Sequence, residues 1–292
     1  MEKIKSILLP LAGIAIIFSI PMSFIFEGVI ESGIDAVLHV KVDPRFSGGE
    51  EILRITDPVG DENGTGSYEY PLNGMFADKG YLDIVRYVVN KPITNAPWSE
   101  DLNFWQFAVT FDKTANADES VHSFSHPVIH VYIDLDGKEG GSIETVDPRA
   151  EKVQFDPEHP WDIMVQLDGH HMNGKLVSFD GKIKENVRVY FDGEKNTVYG
   201  RIPLDNPFIK RVLDGRKTWH YVLVGAYDHL SQGNFMPVKK EAALRNGGGA
   251  VSENASNVYD CIVPKKMSQS ALLSSYNDKD RTFAMIYPVE AD

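Results

Sequence analysis

Between Asn103 and Asp112 apolar and polar side chains alternate: Trp105, Phe107, Val109 and Phe111 hold the odd positions, while the even ones include Gln106, Thr110 and Asp112. A period of two predicts a half-buried strand. The pattern returns from Ile129 to Asp136, with Ile129, Val131, Ile133 and Leu135 on one side and His130, Tyr132, Asp134 and Asp136 on the other. Val187–Phe191 and Thr197–Ile202 flank the turn-rich link Asp192-Gly193-Glu194-Lys195-Asn196, which predicts a hairpin. Trp219–Tyr227 is a further aromatic and β-branched run, and Thr282–Tyr287 is placed to close a sheet. Helical periodicity is confined to Lys239–Arg245 and Met267–Tyr276. Many short strands divided by Gly, Pro, Asn and Asp turns predict an all-β fold, an antiparallel β-sandwich. Trp105, Trp161 and Trp219 fall within strand patterns and are expected in the core.

The amino terminus follows different rules. After Lys3 and Lys5, no charged side chain occurs from Ser6 to Phe26, a length that spans a bilayer core as a helix. Bulky residues stand at Met22-Ser23-Phe24-Ile25-Phe26, where a cleaved signal would carry small ones. Residues 1–27 are read as a signal anchor in preference to a cleaved signal peptide. Either reading places the remainder outside the cytoplasm, with Lys3 and Lys5 inside. Residues 28–49 are expected to form a stalk or an added strand, and residues 50–292 one domain.

Composition narrows the chemistry. With 42 acidic and 29 basic residues the net charge is −13, and no basic run exists to displace counterions from a nucleic acid. One cysteine, Cys261, excludes an internal disulfide or a multi-cysteine metal site. The chain lacks a dinucleotide loop, a phosphate loop, a nucleophile elbow and a zinc-protease helix. Asp134-Leu135-Asp136-Gly137 opens like a calcium hand, but Glu139 stands where that loop needs glycine and Thr145 where it needs glutamate. These absences favour a binding module over an enzyme.

One segment concentrates constraints: a strand reaching Asp57-Pro58, the acidic, glycine-rich Gly60-Asp61-Glu62-Asn63-Gly64-Thr65-Gly66, then Tyr68-Glu69-Tyr70-Pro71 and Asp83-Ile84-Val85-Arg86-Tyr87. Downstream come His130-Val131-Tyr132-Ile133-Asp134, Pro160-Trp161-Asp162, Trp219-His220-Tyr221, Gly247-Gly248-Gly249, Asn257-Val258-Tyr259-Asp260 and Ser268-Gln269. In this order the segments resemble the carboxy-terminal module of glucodextranases, a DOMON-like, jelly-roll-type β-sandwich related to carbohydrate-binding modules. The resemblance covers about Glu51 to the end. It implies association with sugars or cell surfaces and no hydrolysis, since the catalytic barrel of those enzymes has no counterpart in this chain.

Candidate residues follow from ligand chemistry. Sugars present apolar C–H faces and hydroxyl edges, so loop aromatics and a histidine are the expected contacts: Tyr68, Tyr70, Trp98 and His171. Asp57, Asp61 and Asp83 supply oxygen ligands suited to Ca²⁺, or alternatively cap turns through backbone hydrogen bonds. The expected function is a membrane-anchored, non-catalytic module that binds a glycan or an envelope polysaccharide. An envelope or filament subunit that joins neighbouring proteins is the alternative, and a small glycoside hydrolase the third.

Overall fold

The computed structural model describes residues 50–72, 79–91, 104–114, 116–118, 121–124, 127–137, 140–168, 173–203, 217–228, 234–251 and 255–291. The expected anchor at 1–27 and stalk at 28–49 lie outside them. Among the described residues no helix is long and apolar enough to cross a membrane.

The strands are β1 (Glu50–Thr56), β2 (Ile84–Lys91), β3 (Phe104–Phe111), β4 (Asn116–Asp118), β5 (Val121–Phe124), β6 (Pro127–Asp134), β7 (Val153–Phe155) and β8 (Ile163–Asp168). After them come β9 (Asn173–Ser178), β10 (Lys184–Asp192), β11 (Thr197–Pro203), β12 (Thr218–Ala226), β13 (Asp260–Cys261), β14 (Ala284–Ile286) and β15 (Val289–Ala291). Eleven of them form one sheet in the order β1-β2-β3-β11-β10-β9-β8-β6-β12-β13, with β15 also on β12. Every pairing in it is antiparallel. The expected all-β, mostly antiparallel class is therefore observed, as one continuous main sheet in place of two separate layers. That sheet curls, so that β1 approaches β15 and one core gathers Leu53, Tyr87, Trp105, Phe107, Ile129, Val165, Val198 and Val222 from its inner face.

The predicted alternation marks the inner face correctly but misjudges the outer one. Gln106 and Thr110 on β3 are buried like their apolar neighbours, as are His130 and Tyr132 on β6. For β6 the cause is a second core: Tyr132, Met164 and Tyr221 on the outer face pack against Phe155 of β7, Ile286 of β14 and Leu273. A polar side chain is thus no sign of exposure here, because hydrogen bonds compensate its burial. The Glu151 carboxylate accepts from Tyr132 Oη at 2.7 Å, for example.

The predicted hairpin is β10–β11, whose turn is held by Asp192 Oδ1 accepting from the Glu194 and Lys195 amides. Of the two predicted helices, Met267–Tyr276 contains α2 (Gln269–Leu273), begun by a Ser268 side-chain cap. Lys239–Arg245 is not helical: Lys239 bridges Gly249 and turns follow. A short α1 (Pro148–Glu151) is capped by Asp147, whose side chain accepts from the Arg149 and Ala150 amides. Its proline and single turn carry too little periodicity to be visible in sequence.

Candidate cation and ligand site

The chain leaves β1 at Asp57, makes the glycine-rich loop and re-enters the sheet at β2. Backbone bonds pin that loop from several directions: Gly64 N donates to Tyr259 O, and Glu69 and Gly249 exchange amide-to-carbonyl bonds of 2.8 and 2.9 Å. Gly64 sits at φ 55°, and a Cβ there would run into the Tyr68 ring. Gln269, on α2, donates from Nε2 to Asp61 O and accepts from Cys261 N, both at 2.8 Å. Segments scattered through the sequence motif thereby become one site.

Four aspartates meet there. Asp57, Asp83 and Asp260 are 7%, 1% and 0% exposed, and Asp61 is half-buried. One carboxylate oxygen each from Asp57, Asp61 and Asp260 lies within 4.8 Å of the other two. Asp260 Oδ2 accepts from Ile84 N at 2.5 Å and Asp83 Oδ2 from Gly60 N at 2.8 Å. Their other oxygens, with Asp57 Oδ2 and Asp61 Oδ1, are buried without a hydrogen-bond partner among the described residues, and so is Glu62 Oε2 beside them. Among the described residues no lysine or arginine forms an ion pair with these groups.

The electrostatic consequence is severe crowding of like charge. Burial, then the Asp61 and Asp83 charges, push Asp57 up to about 8. Burial, reinforced by Glu62 and Asp61 and eased by the Gly60 amide, holds Asp83 at about 7. Asp260 is driven well above the ordinary carboxylate range by burial and by Asp57 and Asp61.

A cavity of about 450 Å³ opens beside the cluster, with Asp57 and Asp61 in its wall. Thr56, Asn63, Lys265, Ser268 and Ser270 give it polar groups, and Ile55, Pro58, Val263, Pro264, Met267 and Val289 give it apolar surface.

The sequence-predicted residues thus part company. Of the three aspartates named from sequence, Asp57 and Asp61 share a group with Asp260, and Asp83 stands near enough to feel the Asp61 charge; Asp260 was not among the candidates, although a lone acid between Tyr259 and Cys261 in an apolar run signals a buried carboxylate. Tyr68 is only 5% exposed, and its hydroxyl donates to Ser256 O at 2.6 Å. That ring packs edge-on to Tyr259 and offers no open face to a sugar. Tyr70 is half-buried, with its hydroxyl donating to Glu62 Oε1 and accepting from the Gly80 and Leu82 amides. Trp98 and His171 lie outside the described residues.

A second acidic group, Asp134, Asp136 and Asp162, has a different character. Asp134 Oδ1 accepts from the Asp136 and Gly137 amides, Oδ2 faces His159 Nδ1 at 3.1 Å, and Asp162 Oδ2 accepts from Leu135 N. Those carboxylates close a turn.

Sheet, loop and cavity together define an all-β module with a recessed, acid-lined cavity. The Glucodextran_C profile, which describes the C-terminal, SLH-like binding module of glucodextranase, matches residues 52–288. The chain belongs to that family. No curated protein matches it.

Proposed function

We propose that this protein is a non-catalytic carbohydrate-binding module, displayed outside the cytoplasm and tethered by its apolar amino-terminal segment. The observation that carries the reading is the family membership over residues 52–288, a family of binding modules. Fold alone would not license it, because related sandwiches serve many ligands. The cavity beside Asp57 and Asp61 is the candidate seat: hydroxyl, amide and ammonium groups stand next to proline, methionine and aliphatic surface, the mixture that sugar edges and C–H faces require. Trp98 and His171 remain candidate contacts by their residue types. The envelope polysaccharide of the host cell is the natural ligand class for such a tethered module.

The reading is tested with the full chain in detergent on immobilised polysaccharide. Saturable binding, weakened at least tenfold by Lys265→Ala or Met267→Ala with the melting temperature unchanged, is the expected outcome. Sugar release during the incubation would contradict the non-catalytic assignment.

A further inference from the structure

We infer that Asp57, Asp61 and Asp260 hold a divalent cation of calcium's size and hardness, with Asp83 completing the negative wall behind them.

An acidic cluster alone would not support this, since acids gather on many surfaces. The decisive feature is the state of the oxygens. Asp57 Oδ2, Asp61 Oδ1, Asp83 Oδ1 and Asp260 Oδ1 are all buried and all lack a donor among the described residues, although buried polar atoms in folded proteins are nearly always paired. Three of the four side chains are more than nine-tenths buried. The other oxygens of Asp83 and Asp260 are fixed by backbone amides, which aims the orphaned ones inward. In the second acidic group the carboxylate oxygens of Asp134 have such partners.

Geometry and donor type select the ion. Oxygens around a calcium ion at about 2.3–2.6 Å stand at most about 5 Å apart, and the three ligand atoms lie within 4.8 Å of one another. The donors are carboxylates throughout. Cys261, next to Asp260, belongs to the second core, on the opposite side of β13, so no thiolate turns the site toward zinc. Three carboxylates leave part of a six- to eight-oxygen sphere to be filled. The cavity lined by Asp57 and Asp61 supplies the room for water or ligand oxygens and a route of entry.

The ligands come from the end of β1, the glycine-rich loop and β13, with Asp83 just ahead of β2. A cation here joins the module's first loop to a strand near its carboxy-terminal end. It also neutralises charge that the fold otherwise leaves uncompensated.

Isothermal titration of the chelator-treated full chain with CaCl₂ and with MgCl₂, paired with thermal melts, tests the assignment. One Ca²⁺ per chain, bound at least tenfold more tightly than Mg²⁺ and raising the melting temperature, is expected. Asp61→Asn should weaken binding at least tenfold; its half-buried side chain makes it the variant least able to disturb folding. Asp260→Asn keeps an acceptor for the Ile84 amide and should do the same, whereas Asp136→Asn in the turn should bind as wild type does. Absence of calcium binding by the folded wild type, equal affinity for Mg²⁺, or undiminished binding in both Asp61→Asn and Asp260→Asn would overturn it. Glycan binding is read separately, so its loss or retention does not decide this question.

Discussion

Tyr68 shows how one side chain changes meaning once its surroundings are known. In sequence it is a loop aromatic beside an acidic turn; in the fold it is a pillar that fills the space Gly64 leaves open and bonds Ser256 O. Replacing it with Phe removes that bond and leaves a buried carbonyl without its donor. A loss of about 1–2 kcal/mol is expected, or roughly 3–6 °C in melting temperature, measurable by calorimetry. An unchanged melting temperature would show that the hydroxyl is not held as described. Gly248 is a harder constraint: it sits at φ 109°, and a Cβ would overlap the Tyr259 hydroxyl and the Glu69 carbonyl. Gly248→Ala should therefore destabilise the chain by more than about 3 kcal/mol, seen as a lower urea midpoint. The aspartates were legible as oxygen donors by residue type. Their joint burial was not, because Asp260 reaches the site only through the long-range pairing of β13 with β12.

At the scale of elements, β12 carries a pH response of its own. His220 is fully buried, with Nδ1 3.0 Å from Tyr87 Oη and Nε2 2.8 Å from Thr218 Oγ1. The rings of Tyr87, Trp105 and Phe107 surround it. Burial lowers its pKa from the ordinary 6.5 to about 3. Between those two values the unfolded chain binds a proton that the folded chain does not, so stability falls as pH drops through that window. Urea midpoints at pH 7 and pH 4.5 should therefore differ more in wild type than in His220→Gln, which cannot titrate. Equal differences would contradict a neutral, buried imidazole. Strands were the most legible elements, since apolar period-two runs located β3 and β6, and an aromatic, β-branched run β12, within a few residues. The outer face of β6 was misread, because the second core that covers it is assembled from β7, β14 and α2, which are brought against it only by the tertiary fold. The 239–245 segment misled for the converse reason: its local pattern is helical, but bonds from Lys239 to Gly248 and Ala250 fix its start, and bends and turns follow.

For the molecule as a whole, charge and topology point the same way. A net charge of −13 argues for solubility and against polyanion partners without selecting a ligand. Among the described residues β1 ends the sheet and carries exposed Glu50, Glu51 and Arg54; charged edges resist strand-to-strand association, which weighs against assembly through that strand. If a calcium ion organises the loop between β1 and β2, it shapes the cavity wall as well, and chelation should weaken glycan binding together with the melting temperature. The most direct test of the central claim is a glycan array probed with the full chain, in calcium and again with a chelator, after circular dichroism has verified the β fold. Saturable, selective binding to at least one polysaccharide in calcium is the predicted result. A calcium-loaded, folded protein that binds no glycan would contradict it.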